Sequence, residues 1–199
     1  ITIKKTDGET KKPLAGAVFN IVAAANIKTA DGTVRAKAGS IVNTITTGKD
    51  GTAKSKTLYL GKYTVKEKKA PAGYVLDTQP HSVTLSYGGQ NATLVGVQLP
   101  LGNIAQKAGI KIEKTDQETG KPLTGAVFDI LAAENIKTAD GTVRAKVGTL
   151  VDTITTGADG TATSKLLYLG KYTVKEKTAP QGYVISTKPY GVTLAYAGQ

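Results

Sequence analysis

The sequence predicts an all-β protein made of two tandem copies of one small domain. Three observations lead there. Short runs rich in Thr, Val, Tyr and Ile alternate in polarity and stop at Gly, Pro or Asp-Gly, while long helical periodicities are absent. Residues 1–90 align with 110–199 at a constant offset of 109, without a gap, and 66 of those 90 positions are identical. A period this long is a whole domain rather than one turn of a solenoid. The chain's 199 residues leave room for two domains of about 100 residues each. The boundary falls near Ile104–Gly109, which gives domains over 1–105 and 106–199.

Each element of copy one has a local reason. Ile1–Thr6 reads as a strand closed by Asp7-Gly8. Ala17–Ala24 follows the turn Pro13-Leu14-Ala15-Gly16. Asp31-Gly32 marks a hairpin between Ile27–Thr29 and Thr33–Ala36. Ile41–Thr46 runs toward the turn at Asp50-Gly51, and Gly61-Lys62 separates Leu58–Leu60 from Tyr63–Lys68. Ala70-Pro71-Ala72-Gly73 then ends that strand, because Pro lacks a donor and Gly admits unusual turns. Ser82–Tyr87 and Ala92–Leu101 complete the copy. That many short strands in one domain imply a small sandwich or a Greek-key barrel.

Composition removes several function classes. Without Cys there are no disulfides and no thiolate metal sites. The net charge of +11 comes almost wholly from Lys, the two Arg being Arg35 and Arg144. The lysines are scattered and no nucleic-acid motif accompanies them, so they read as a solvated surface that also guards sheet edges, and no nucleic-acid partner is expected. No apolar run reaches the roughly 18 residues of a membrane helix, and no membrane partner is expected. No signal peptide is expected within these residues, and a start at Ile1 without Met reads as a mature or excised fragment. The sole His81 becomes Tyr190 in copy two, which excludes a His-based triad and a repeated His metal site and leaves His81 a surface or turn role. The Asp-Gly pairs lack the ligand spacing of a calcium loop. Neither metal nor cofactor is expected, and a conventional enzyme is disfavoured.

Strand parity singles out three polar residues. Alternate side chains of a strand share a face. Tyr63 and Val65 form the apolar pair of GKYTVKEKKAPAGY, and Glu67 is next on their face. Ile1, Ile3 and Lys5 share a face of the first strand. Val95, Val97, Leu99 and Leu101 share one in the last, and Asn103 follows on it. In copy two Ile110, Ile112 and Lys114 repeat the first pattern, and Tyr172, Val174 and Glu176 the second. Lys and Glu are rarely buried without a reason, and fraying strand ends would let any one of them reach water. Three coincidences of residue type and register call for a common cause.

The chemistry of such a trio follows from burial. A desolvated Lys loses its preference for the charged form, so a neutral amine becomes available as a nucleophile. Its target is the side-chain carboxamide carbon of Asn103. A buried Glu67 holds its proton, hydrogen-bonds the Asn carbonyl oxygen and relays a proton from the amine to departing ammonia. Contact within the fold supplies the effective concentration that an amine and an amide lack in water.

With these pieces in view, the chain resembles the Cna protein B-type domains (SpaA-like, prealbumin-like) of Gram-positive surface adhesins and pilins. The matching stretches are IKKTDGETKKPLAGAVFNI, LYLGKYTVKEKKAPAGYVL and the closing Asn before the next repeat, and the resemblance covers essentially the whole chain. It implies a transthyretin-like β-sandwich carrying a self-formed intramolecular isopeptide bond. It assigns Lys5 as nucleophile, Asn103 as acceptor and Glu67 as catalytic acid, with Lys114 and Glu176 matching in copy two. The position 109 residues after Asn103 lies beyond Gln199, so domain 2 is expected to lack its last strand here. Truncation of a longer array is the favoured explanation; strand complementation by another chain is an alternative.

Function is therefore expected to be that of a structural spacer in a cell-wall-anchored surface adhesin, outside the cell, stiffened by a single-turnover cross-link. Its partners would be neighbouring repeats and, through other domains, host extracellular matrix. A pilin shaft fragment is one alternative. Leu99-Pro100-Leu101-Gly102-Asn103 superficially resembles a sorting pentapeptide but lacks its Thr-Gly end and sits in a predicted strand, and no pilin-type Lys motif is visible. A ligand-binding adhesin module is another, although no residue cluster picks out a binding face.

Overall fold

In a computed structural model, described over residues 1–198, the chain forms two compact units, one from Ile1–Ala105 and one from Gln106–Ala197. There is no helix among the described residues.

The first unit contains β1 (Thr2–Asp7), β2 (Val18–Ala23), β3 (Ile27–Lys28), β4 (Val34–Ala36), β5 (Ile41–Thr46), β6 (Thr52–Lys54), β7 (Gly61–Lys69), β8 (His81–Leu85) and β9 (Gln98–Asn103). A three-stranded sheet, β6-β1-β9, faces a four-stranded sheet, β5-β2-β7-β8, and β3 with β4 forms a separate hairpin. Ile3, Ala53 and Leu101 of the first sheet pack with Phe19, Ile21, Ile45, Tyr63, Val65, Val83 and Leu85 of the second. A β-sandwich is the result: period-2 alternation gives each sheet one apolar face, and the two faces bury each other.

β1 and β9 are neighbours and run parallel, with Ile3 opposite Leu99, Lys5 opposite Leu101 and Asp7 opposite Asn103. The unit's two terminal strands therefore lie side by side. Parallel strands require a long crossover, and here nearly the whole domain is that crossover.

Two predicted strands change. Leu58–Leu60 is not a strand in the first unit. An extended segment becomes one only beside a hydrogen-bonding neighbour, and no described segment of that unit pairs with it. The final strand is shorter than Ala92–Leu101, since pairing with β1 starts only at Gln98. The three-residue β6, which pairs with β1 on its other side, carried too short a pattern to be foreseen.

The second unit contains β10 (Lys107–Ala108), β11 (Lys111–Glu113), β12 (Val127–Ala132), β13 (Ile136–Lys137), β14 (Val143–Ala145), β15 (Leu150–Thr155), β16 (Thr161–Thr163), β17 (Leu167–Tyr168), β18 (Gly170–Thr178) and β19 (Tyr190–Leu194). Its four-stranded sheet, β15-β12-β18-β19, repeats that of the first unit. Opposite it, among the described residues, lies the pair β11-β16, so β11 has one described neighbour where β1 has two. Leu167–Tyr168, the counterpart of Leu58–Tyr59, is a strand because β10 pairs with it.

Candidate functional site

β1 brings Lys5 into the first unit's interior one register step beyond Ile3, and its side chain is wholly buried. β7, on the opposite sheet, carries Glu67 inward after Tyr63 and Val65. β9 ends on Asn103, two residues past buried Leu101 and 2 % exposed. The alternation that buries Ile3, Val65 and Leu101 therefore leaves these three polar side chains nowhere else to go, and they meet between the sheets.

The contacts are short. Lys5 Nζ lies 3.2 Å from Glu67 Oε1. Asn103 Nδ2 donates to Glu67 Oε2 at 2.9 Å and to the Val75 carbonyl at 2.7 Å. The Asp77 backbone N–H also donates to Glu67 Oε2, at 2.8 Å. Glu67 thus touches the amine through one oxygen and the carboxamide nitrogen through the other. Asn103 Oδ1 is buried without a hydrogen-bond partner. The Phe19 ring lies below, its centroid 5.4 Å from Lys5 Nζ. Burial pushes the Lys5 amine below its ordinary range, outweighing the pull of Glu67 in the opposite direction.

One detail departs from the sequence-based expectation. Glu67 accepts from the Asn103 amide nitrogen and does not donate to the Asn carbonyl oxygen. The Val75 carbonyl is the reason: it too needs a donor, and a single NH2 group pointed at both acceptors turns Oδ1 away. In this arrangement the carboxyl group touches the amine and the carboxamide nitrogen and leaves the carboxamide oxygen without contact from it.

The segment after Tyr74 supplies parts that side-chain parity cannot reveal, since they are backbone groups. Val75 N–H donates to the Ile104 carbonyl, and Tyr74 bridges Ala105, so this segment and the end of β9 hold each other. Tyr74, fully buried, donates its hydroxyl to Asp7 Oδ2 at 2.7 Å. His81 begins β8 and contacts Asp77 Oδ2 through Nε2 at 2.7 Å, so it anchors this segment instead of occupying a bare turn.

In the second unit Lys114 Nζ again lies 3.2 Å from Glu176 Oε1. The Ser186 N–H donates to Glu176 Oε2 at 2.7 Å, as Asp77 does to Glu67. Glu176 is buried, whereas the Lys114 side chain is 23 % exposed. Among the described residues no group of His, Asp and Glu is arranged to hold a metal ion.

Comparison with known proteins gives a consistent picture. The family model described as the SpaA prealbumin-like fold domain matches twice, over residues 1–98 and 108–199. The trypsin-resistant surface T6 protein of Streptococcus pyogenes serotype M6 is 33 % identical over 87 residues, 44 % of this chain and 14 % of that protein. The structure of the Bacillus anthracis TIE protein aligns with 100 % of this chain and 31 % of its own, with 29 % identity and a TM-score of 0.71. A streptococcal ancillary pilin is 25 % identical over 98 % of this chain and 57 % of its own, with a TM-score of 0.42. This chain spans only a small part of the curated relative's length.

Proposed function

The chain belongs to the SpaA prealbumin-like fold domains, present as two tandem copies, and from that premise we propose that it is a spacer segment of a Gram-positive cell-surface protein, its first domain locked by a Lys5–Asn103 amide. The observation that carries the proposal is the buried contact of Lys5, Glu67 and Asn103.

The reaction uses only these residues. The neutral Lys5 amine adds to the Asn103 side-chain carbonyl carbon. Glu67 takes a proton from the amine through Oε1 and passes one to Nδ2 through Oε2. The Cγ–Nδ2 bond breaks, ammonia leaves and the Nζ–Cγ amide remains. Each site reacts once, so this is assembly chemistry rather than turnover. Desolvation favours the neutral form of the Lys5 amine, which sets up the first step.

The role follows from topology. The amide joins neighbouring parallel strands at opposite ends of the domain's sequence. Tension applied at the domain's ends then passes through a covalent bond, and the strands need not unzip. The link is also indifferent to reduction, in keeping with a chain that contains no Cys. Extracellular, wall-associated placement accords with the surface protein among its relatives. The test is intact mass: wild type should weigh one ammonia less than its sequence, and Lys5→Ala and Glu67→Ala should restore the full value. A wild type at full sequence mass removes the proposal.

A further inference from the structure

The outer face of the four-stranded sheet carries a different charge in each unit. On β7 the alternation that turns Tyr63, Val65 and Glu67 inward turns Lys62, Lys66 and Lys68 outward, all three exposed. At the bulge opposite Val18 the strand adds exposed Lys69. β18 repeats the first three as Lys171, Lys175 and Lys177, with Thr178 in the fourth place. The second unit sets acids among them. Asp129 on β12 pairs in register with Lys175 and lies 3.6 Å from Lys177 Nζ. Glu134 accepts from the Lys171 backbone N–H at 3.2 Å. The first unit has Asn20 and Ala25 at these two places. It therefore presents four lysines and no acid where the second presents three lysines and two acids.

The fold does not require either choice. Asn20 Oδ1 accepts from the Thr44 hydroxyl at 2.9 Å, just as Asp129 Oδ1 accepts from Thr153 at 2.7 Å. What changes is the field. Among the described residues none of Lys62, Lys66, Lys68 and Lys69 has an ion-pair partner, and a row of like charges draws an external anion. Side chains two apart on a strand stand about 6.7 Å from each other, and Lys meets phosphate as a mobile point charge. Hydroxyls flank the row: Thr84 and Ser82 on β8 stand opposite Lys62 and Thr64, ready to donate to phosphate oxygens. The outward positions of β2, β5, β7 and β8 carry no aromatic side chain, so bases and sugar rings find nothing to stack on. A flexible aliphatic chain with one phosphodiester per repeat fits these terms.

We infer that this face of the first unit is a docking surface for a linear polyol-phosphate polymer, laid along β7 across Lys62, Lys66, Lys68 and Lys69. The inference is independent of the Lys5–Asn103 amide, which lies between the sheets. The second unit, its lysines countered by Asp129 and Glu134, is the comparison within the same chain.

The probe is synthetic poly(glycerol phosphate), titrated into the whole chain by isothermal calorimetry over a range of salt. Affinity should fall with salt at a log–log slope of about −3, roughly 0.7 for each of the four charges. Asn20→Asp with Ala25→Glu gives the first unit residues that the second already folds with. It should weaken binding roughly 25-fold at about 0.1 M salt, two charges at about 0.7 decade each. Asp129→Asn with Glu134→Ala should open a second, weaker site and raise the stoichiometry. Lys66→Gln with Lys68→Gln should match the first variant. Lys4→Gln with Lys54→Gln makes the same charge change on the outer face of the other sheet and should leave affinity nearly unchanged. No binding at low salt overturns the inference. Equal weakening by the two lysine pairs does so too, since net charge alone would then explain it. Tighter binding of single-stranded DNA than of the polyol phosphate overturns the choice of occupant.

Discussion

Replacing Asn103 with Ala removes the acceptor while leaving Lys5 and Glu67 paired across the sandwich, which makes it the cleanest probe of what the amide contributes. The lost amide would close a loop of about 100 residues, worth roughly 4.7 kcal/mol in the chain-entropy treatment developed for disulfides. Asn103 also makes two side-chain hydrogen bonds, to Glu67 and Val75. Their loss costs about 1 kcal/mol each, with the Val75 carbonyl left short of that donor. The sum is roughly 6–7 kcal/mol, of which hydrogen bonding alone explains about 2. For a domain of about 100 residues each kcal/mol moves the midpoint by about 4–8 °C. The covalent part alone therefore corresponds to a fall of about 20–40 °C, against about 8–16 °C for hydrogen bonds only. Scanning calorimetry of the whole chain is the assay. Domain 2's transition provides the internal reference, since Asn103 belongs to the first unit. A first-domain shift inside the smaller range, with wild type and variant both at full sequence mass, would refute the reasoning.

Two further predictions concern the same site. Only the neutral Lys5 amine adds to the Asn103 carbon, so the linking rate should fall in acid as the amine becomes protonated. Because burial lowers the Lys5 amine, the rise with pH should be complete below the ordinary lysine range. Refolding of never-folded synthetic chain across pH, followed by mass, tests this; a rate still climbing through the ordinary lysine range contradicts it. Gly51, at φ +71°, sits against the Lys5 backbone and takes the Lys5 N–H on its carbonyl at 2.7 Å. A Cβ there would collide with the Lys5 carbonyl oxygen and crowd Pro13, so Gly51→Ala should cost more than about 1 kcal/mol and slow linking, seen as a lower first-domain midpoint and slower ammonia loss.

What could be read from the residues follows from the range of each signal. Alternation is local, so Ile3 with Lys5, Val65 with Glu67, and Leu101 with Asn103 were legible as inward pairs, and the structure buries all of them. Side-by-side placement of β1 and β9 depends on strands far apart in sequence, and no local pattern encodes it. The Val75 carbonyl and the Asp77 N–H escaped notice because backbone groups have no residue signature, and with them went the orientation of the Asn103 amide. Leu58–Leu60 had strand composition but lacked a neighbour to pair with, whereas Leu167–Tyr168 has β10. Composition proposes a strand; a hydrogen-bonding partner makes it one.

The most direct measurement is a tryptic digest of the unfolded chain analysed by tandem mass spectrometry. A Lys5 whose nitrogen is acylated resists trypsin, so the digest should contain one branched species joining the residue 5 segment to the residue 103 segment, one ammonia lighter than their sum. Cleavage after Lys5, together with a linear peptide carrying an intact Asn103 carboxamide, would contradict the account.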